Sequence, residues 1–179
     1  MNKYLKLITF CFLVITILSL IGCTNKTENT AKVIYLAPKD GGQLTTDDIN
    51  KYPEVIRVSD FNKFKKLVSK NTAIWIDKDA VDLLDLNWVQ KEAESKIPIV
   101  LIGYNNALYS FREKLSCFGI NGPYVDWSNQ KLEPGFSIGM LKEKTETSSS
   151  AFISGYETNP DIKQILSLTN MLLEGKIPE

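Results

Sequence analysis

The 179 residues carry 21 Lys+Arg against 21 Asp+Glu and no His, a length that suits one domain rather than two. The even charge argues against a nucleic-acid module, because neutralising phosphates demands a basic excess. Without His there is no Ser-His-Asp or Cys-His catalysis, no His metal ligand and no imidazole pH switch.

The chain opens MNKYLKLITFCFLVITILSLIGCTNK, in which Lys3 and Lys6 precede an uncharged, mostly apolar run from Leu7 to Gly22 and polar residues follow at once. That is the layout of an export signal. The uncharged stretch is also close to the ~20 residues that span a bilayer, so a retained transmembrane anchor is the competing reading. The junction Leu20-Ile21-Gly22-Cys23 resembles the lipobox of bacterial lipoprotein precursors, with a branched apolar residue three positions before a Cys and a small residue just ahead of it. The resemblance implies diacylglyceryl attachment to the Cys23 sulfur, cleavage between Gly22 and Cys23, and a lipid anchor on the extracytoplasmic face of the cell membrane. A thiol is the side-chain nucleophile suited to forming a thioether. Two acyl chains, at about 0.8 kcal/mol per buried methylene, hold a protein to a bilayer where one does not. On this reading residues 1–22 are a lipoprotein signal peptide, 23–31 the lipidated Cys and a flexible tether, and 32–179 a single α/β domain. Cys11 leaves with the signal. Cys117, between Leu115 and Phe118 in LSCFGI, reads as a buried small apolar residue.

Beyond the tether, apolar runs alternate with amphipathic stretches. Lys32 to Ala37 reads as a strand closed by Pro38 and the Gly41-Gly42 turn, and Val55 to Val58 as another. Ser59 or Asp60 then caps a helix with Phe61, Phe64, Leu67 and Val68 on one face and four lysines, at 63, 65, 66 and 70, on the others. Thr72 to Ile76 is a short buried strand ending at Asp77-Lys78-Asp79, followed by a helical stretch from Leu83 to Lys96. Ile97 to Ile102 is the clearest central strand. Asn105 or Asn106 caps the next helix, which carries Leu108, Phe111 and Leu115 and stops at Gly119. Residues 119–135, rich in Gly, Pro, Asn and aromatics, read as a structured loop. Phe136 to Lys142 and Ala151 to Tyr156 flank a polar turn as a hairpin or a paired sheet edge, and Asn159-Pro160-Asp161 opens a final helix up to Gly175. Continuous apolar strands are what a parallel sheet covered on both faces requires. The expected fold is therefore α/β, three-layer, with a mostly parallel sheet of four or five strands, Rossmann-like or flavodoxin-like, an edge hairpin and a C-terminal helix.

Ligands of such sheets bind beyond the carboxyl ends of the strands, where strand order reverses. Those ends supply Asp40, Asp77, Asn105 and Asn106 as candidate ligand-binding groups. Each also has a plain structural role open to it as a helix cap or a solvated side chain. Asp40, Asp77 and Asp79 form only a weak cation pattern, no zinc spacing or phosphate loop is present, and no metal or cofactor is expected. Tyr124 and Trp127 form a candidate partner surface on the 119–135 loop.

The segments AIWIDKDAVDLL, IPIVLIGYNNALYSFREKL and NGPYVDWS resemble small lipoproteins of Gram-positive bacteria, a likeness that carries no catalytic motif. The expected function is a non-enzymatic binding or interaction module, anchored to the membrane through Cys23 and meeting a small molecule or an envelope protein, with no nucleic-acid partner. The alternative is a carboxylate-dependent extracytoplasmic hydrolase using Asp77 and Asp79.

Overall fold

The apolar runs form strands that are buried from end to end: β1 (Val33–Leu36), β3 (Ala73–Asp77) and β4 (Ile99–Ile102) expose almost nothing, while β2 (Val55–Val58) is half-covered at its centre. A computed structural model describes residues 32–120, 126–142, 150–158 and 160–176. The lipobox with Cys23, the tether to Ala31, Tyr124, the polar turn at 143–149 and the Asn159 cap lie outside the described residues.

The four strands pair in parallel in the order β2-β1-β3-β4. β5 (Phe136–Lys142) joins antiparallel to β4, and β6 (Ser150–Tyr156) antiparallel to β5, giving a six-stranded mixed sheet. The sheet is larger than the four or five strands expected. The hairpin becomes part of it because Phe136, Ile138 and Met140 alternate onto the same core as the parallel strands.

That period of two sorts the interior into two cores. Val33, Tyr35 and Ala37 enter one with Trp75, Val100 and Ile138, whereas Ile34 and Leu36 enter the other with Ile76, Ile99 and Leu101. The first core is closed by α1 (Thr46–Ile49) through Ile49 and by α5 (Ile162–Leu173) through Ile162, Ile165, Leu166 and Leu172. The second is closed by α2 (Phe61–Leu67) through Phe64, by α3 (Leu86–Glu94) through Val89 and Ala93, and by α4 (Ala107–Ser110) with the π turn Phe111–Leu115. A polar link crosses from the sheet to α5: Trp75 Nε1 donates to Thr169 Oγ1 at 3.0 Å, and that hydroxyl donates on to the Ile165 carbonyl at 2.7 Å.

Local chemistry sets the ends of these helices, in places against the sequence expectation. Asp60 does cap α2, accepting from the Lys63 N–H at 2.7 Å. The helix expected over Leu83 to Lys96 runs from Leu86 to Glu94: a 3₁₀ turn over Lys78–Leu83 precedes it, and α3 starts where Asp85 accepts from the N–H groups of Asn87 and Trp88. Helical bonding after β4 stops at Leu115 rather than Gly119, where Ser116 turns to a left-handed φ of 50°. Asp161 caps α5. The helix α1, capped by Thr45, is an addition that the sequence pattern did not announce.

Candidate functional site

In the parallel part of the sheet β1 is flanked by β2 and β3, so the reversal of strand order falls between β1 and β3. A ligand crevice is expected beyond their carboxyl ends. The chain fills that place with its own 38–45 loop. Asp77, fully buried at the end of β3, accepts through Oδ2 from the Tyr35 hydroxyl and from the Gln43 N–H at 2.6 Å, and through Oδ1 from the Asp79 N–H at 3.0 Å. The Leu44 N–H reaches the Tyr35 oxygen at 3.4 Å. Gly42, at φ 107°, lies so close above the pair that a Cβ there would stand 3.1 Å from Asp77 Oδ2 and 3.5 Å from the Tyr35 oxygen. Only glycine takes that backbone conformation without strain.

Arg57 of β2 holds the other limb of the loop. Its guanidinium donates to the carbonyl of Pro38 and, at 2.8 Å, to that of Gly41. A carboxylate in the core and a guanidinium at its side therefore fix one loop from both ends. Charged acceptors and donors make the stronger class of hydrogen bond, so the loop is well held. Burial, and then the bond to Asp77, push the Tyr35 phenol above its ordinary range, which keeps it a donor.

The sequence-nominated residues do not converge on one cavity. Asp40 is exposed on the loop, and Asp77 is buried beneath it. Asp79 accepts from Gln43 Nε2 at 3.2 Å. Asn105 and Asn106 face the opposite limb of the sheet. The Asn105 N–H donates to the Glu133 carbonyl at 2.8 Å, and the Asn106 amide donates to Gln130 Oε1 at 2.9 Å and the Lys131 carbonyl at 3.1 Å. Asn106 precedes α4 without a side-chain cap bond, its amide nitrogen instead donating to the 126–135 segment. Tyr35, Gln43 and Arg57 were not nominated. A lone Arg inside an apolar tetrad, Val55 to Val58, was the available sign that this strand carries a polar task.

Of the nominated partner surface, Trp127 lies within the described residues. It stacks on Tyr109 with ring centres 6.1 Å apart and planes 19° apart, and the Arg112 guanidinium sits 4.7 Å from its ring centre. These contacts dock the loop onto α4 and leave Trp127 half-buried. Next to Tyr109, Leu108 is 47 % exposed, and Leu83 and Leu86, after β3, are 46 % and 39 % exposed.

A cavity of about 400 Å³ opens beside the same loop, between α1 and the start of α5, with Leu44, Tyr52 and Ile162 on its apolar side and Gln43, Asp48, Lys51 and Asp161 on its polar side. Lys51 and Asp48 pair at 2.9 Å within that wall. Among the described residues no three His, Cys, Asp or Glu side chains gather as metal ligands, and no helix is long and apolar enough to cross a membrane. Comparison of the chain with protein-family models, curated proteins and solved structures gives no match.

Proposed function

We propose that the chain is a lipid-anchored cell-envelope lipoprotein whose folded part is a non-enzymatic binding or interaction module. The observation that carries the module reading is the division of labour at the carboxyl ends of the strands. Asp77 is consumed by the Tyr35 and Gln43 bonds, whereas the connections leaving β3 and β4 present Leu83, Leu86 and Leu108 to solvent. Leu83 ends the 3₁₀ turn after β3, and Leu86 and Leu108 lie at the starts of α3 and α4; exposed apolar side chains of this size suit a protein contact better than a reaction. The hydrolase alternative needs Asp77 and Asp79 as a working pair. One is buried under three donors and the other is turned to Gln43, so that reading first requires the loop to leave.

The finer fold assignment belongs to the same proposal. Strand order 2-1-3-4 and cores on both faces of the sheet support a three-layer, flavodoxin-like arrangement over a Rossmann-like one. The anchor rests on the Lys3 and Lys6 start, the apolar run and the Leu20 to Cys23 junction.

Two experiments test the two halves. Cells fed a labelled fatty acid should incorporate it into the wild-type chain, with a mature N-terminus at Cys23, whereas Cys23→Ala should remain an unlabelled precursor. Undiminished labelling of Cys23→Ala overturns the anchor. For the module, a photo-crosslinking residue at Leu108 in intact cells should yield a discrete adduct that the same residue at Lys66, on exposed α2, does not. Identical adduct patterns at both positions overturn the docking role of the leucines.

A further inference from the structure

The two edges of the sheet differ in how they are protected. β2 has four residues, carries Arg57 and follows Pro53, which are the usual devices that discourage a second strand from pairing. β6 has seven residues, Ser150-Ala-Phe-Ile-Ser-Gly-Tyr156, with no charge and no proline. Its register with β5 runs through seven consecutive pairs, from Phe136 with Tyr156 to Lys142 with Ser150, so no bulge twists the edge away. Among the described residues no strand pairs along its outer side. On the α5 side an open cavity of about 340 Å³ borders Tyr156, Asp161, Lys163, Gln164 and Leu168. On the opposite face β6 is braced: a Cβ on Gly155 would overlap the Asn105 carbonyl, which leads into α4.

We infer that the outer edge of β6 is a self-association edge, at which a second copy of the chain pairs β6 to β6 antiparallel and joins the two sheets into one. The occupant follows from the composition of the strand. A two-fold axis at Ile153 pairs all seven residues, and any other centre shortens the ladder. At that centre Phe152 stands opposite Ser154 of the other copy, Tyr156 opposite Ser150 and Ala151 opposite Gly155, so each aromatic ring meets a small residue. No charge lies on the strand, so a copy meets no opposed like charges, which are the ordinary penalty for self-pairing. Backbone groups then supply the recognition, as in strand addition generally. This inference does not depend on the lipid anchor.

The test is made on the full chain in the membranes of expressing cells. Mild oxidation of Ile153→Cys should give a disulfide, located by peptide mapping, between the introduced thiols of two copies. Ser150→Cys should not, because its symmetry mate lies at the far end of the ladder. Mapping separates these linkages from any at Cys11 or Cys23, and Cys117 is buried. A second measurement guards against misfolding of the Ile153→Cys variant: the otherwise unaltered chain, purified in detergent, should sediment at twice the protein mass of Ser154→Lys, with identical circular dichroism. Equal linkage of the Ser150→Cys and Ile153→Cys variants, adducts of the Ile153→Cys thiol only to other proteins, or a wild-type chain that sediments as a monomer would each overturn the inference.

Discussion

The Tyr35 hydroxyl donates to Asp77 Oδ2 between neighbouring parallel strands, with both side chains fully buried. The register makes this possible: Tyr35 lies opposite Trp75, and Asp77 is two residues further on the same face of β3. Because Gln43 and Asp79 bond to the same carboxylate, Asp77→Ala leaves the buried Tyr35 hydroxyl and two part-buried backbone N–H groups without their acceptor. Unsatisfied buried donors cost about 1–3 kcal/mol each. We expect Asp77→Ala to lose about 3 kcal/mol or more in urea unfolding. Tyr35→Phe, which takes one donor from Asp77 and the acceptor from the Leu44 N–H, should lose about 1–2 kcal/mol. The Gln43 amide should exchange its hydrogen faster in Asp77→Ala than in the wild type. A neutral Asp77→Ala would mean that the Arg57 and Asp79 bonds suffice to hold the 38–45 loop.

Burial pushes the Cys117 thiol up to about 12 from 9.0. Its thiolate forms more readily in the unfolded chain than in the folded one, so from pH 9 upward the unfolded state binds fewer protons and stability falls with pH. The contribution is complete below pH 9 and is lost as pH rises through about 12, with a slope approaching about 1.4 kcal/mol per pH unit for one proton. Tyr35, raised first by burial and then by its bond to Asp77, adds a loss of the same sign that begins above pH 10. Unfolding free energies measured at about pH 8, 9.5 and 11 should therefore decline less in Cys117→Ala than in the wild type, and the difference should already be present at about pH 9.5. Parallel declines in the two proteins would rule out the buried thiol as their source.

The parallel strands were legible because burial on both faces forces short uninterrupted apolar runs, such as IPIVLI, closed by polar or turn residues. The final helix was legible because Ile162, Ile165, Leu166, Thr169 and Leu172 recur at helical spacing; its cap is Asp161, which the sequence pattern offered as an acid of the first turn. The Tyr35, Asp77 and Arg57 arrangement was not. Tyr35 and Asp77 are 42 positions apart, and their contact exists only because β3 returns to the side of β1 opposite β2, a choice of neighbour that local periodicity does not encode. Asn106 misled for a related reason. It has the residue type and place of a cap, but the 126–135 segment offers Gln130 and the Lys131 carbonyl, and a tertiary partner overrode the local preference.

Leu101 tests the central strand itself. Its Cα neighbours are Ile76 on β3 and Ser137 on β5, so it sits where the parallel and antiparallel parts of the sheet meet. Its side chain is fully buried in the core shared with Phe111, Leu115 and Cys117. Cutting it back to Ala removes buried methyl groups and leaves a cavity that helices packed on a rigid sheet fill only in part, a loss of about 2–5 kcal/mol. Leu108→Ala provides the contrast. That side chain is 47 % exposed on α4, and its removal should change stability by no more than about 0.5 kcal/mol. Urea unfolding of the two variants beside the wild type, with unchanged dependence on denaturant concentration, gives both values. A near-neutral Leu101→Ala would displace β4 from the centre of the sheet, and a Leu108→Ala as costly as Leu101→Ala would place Leu108 in the core.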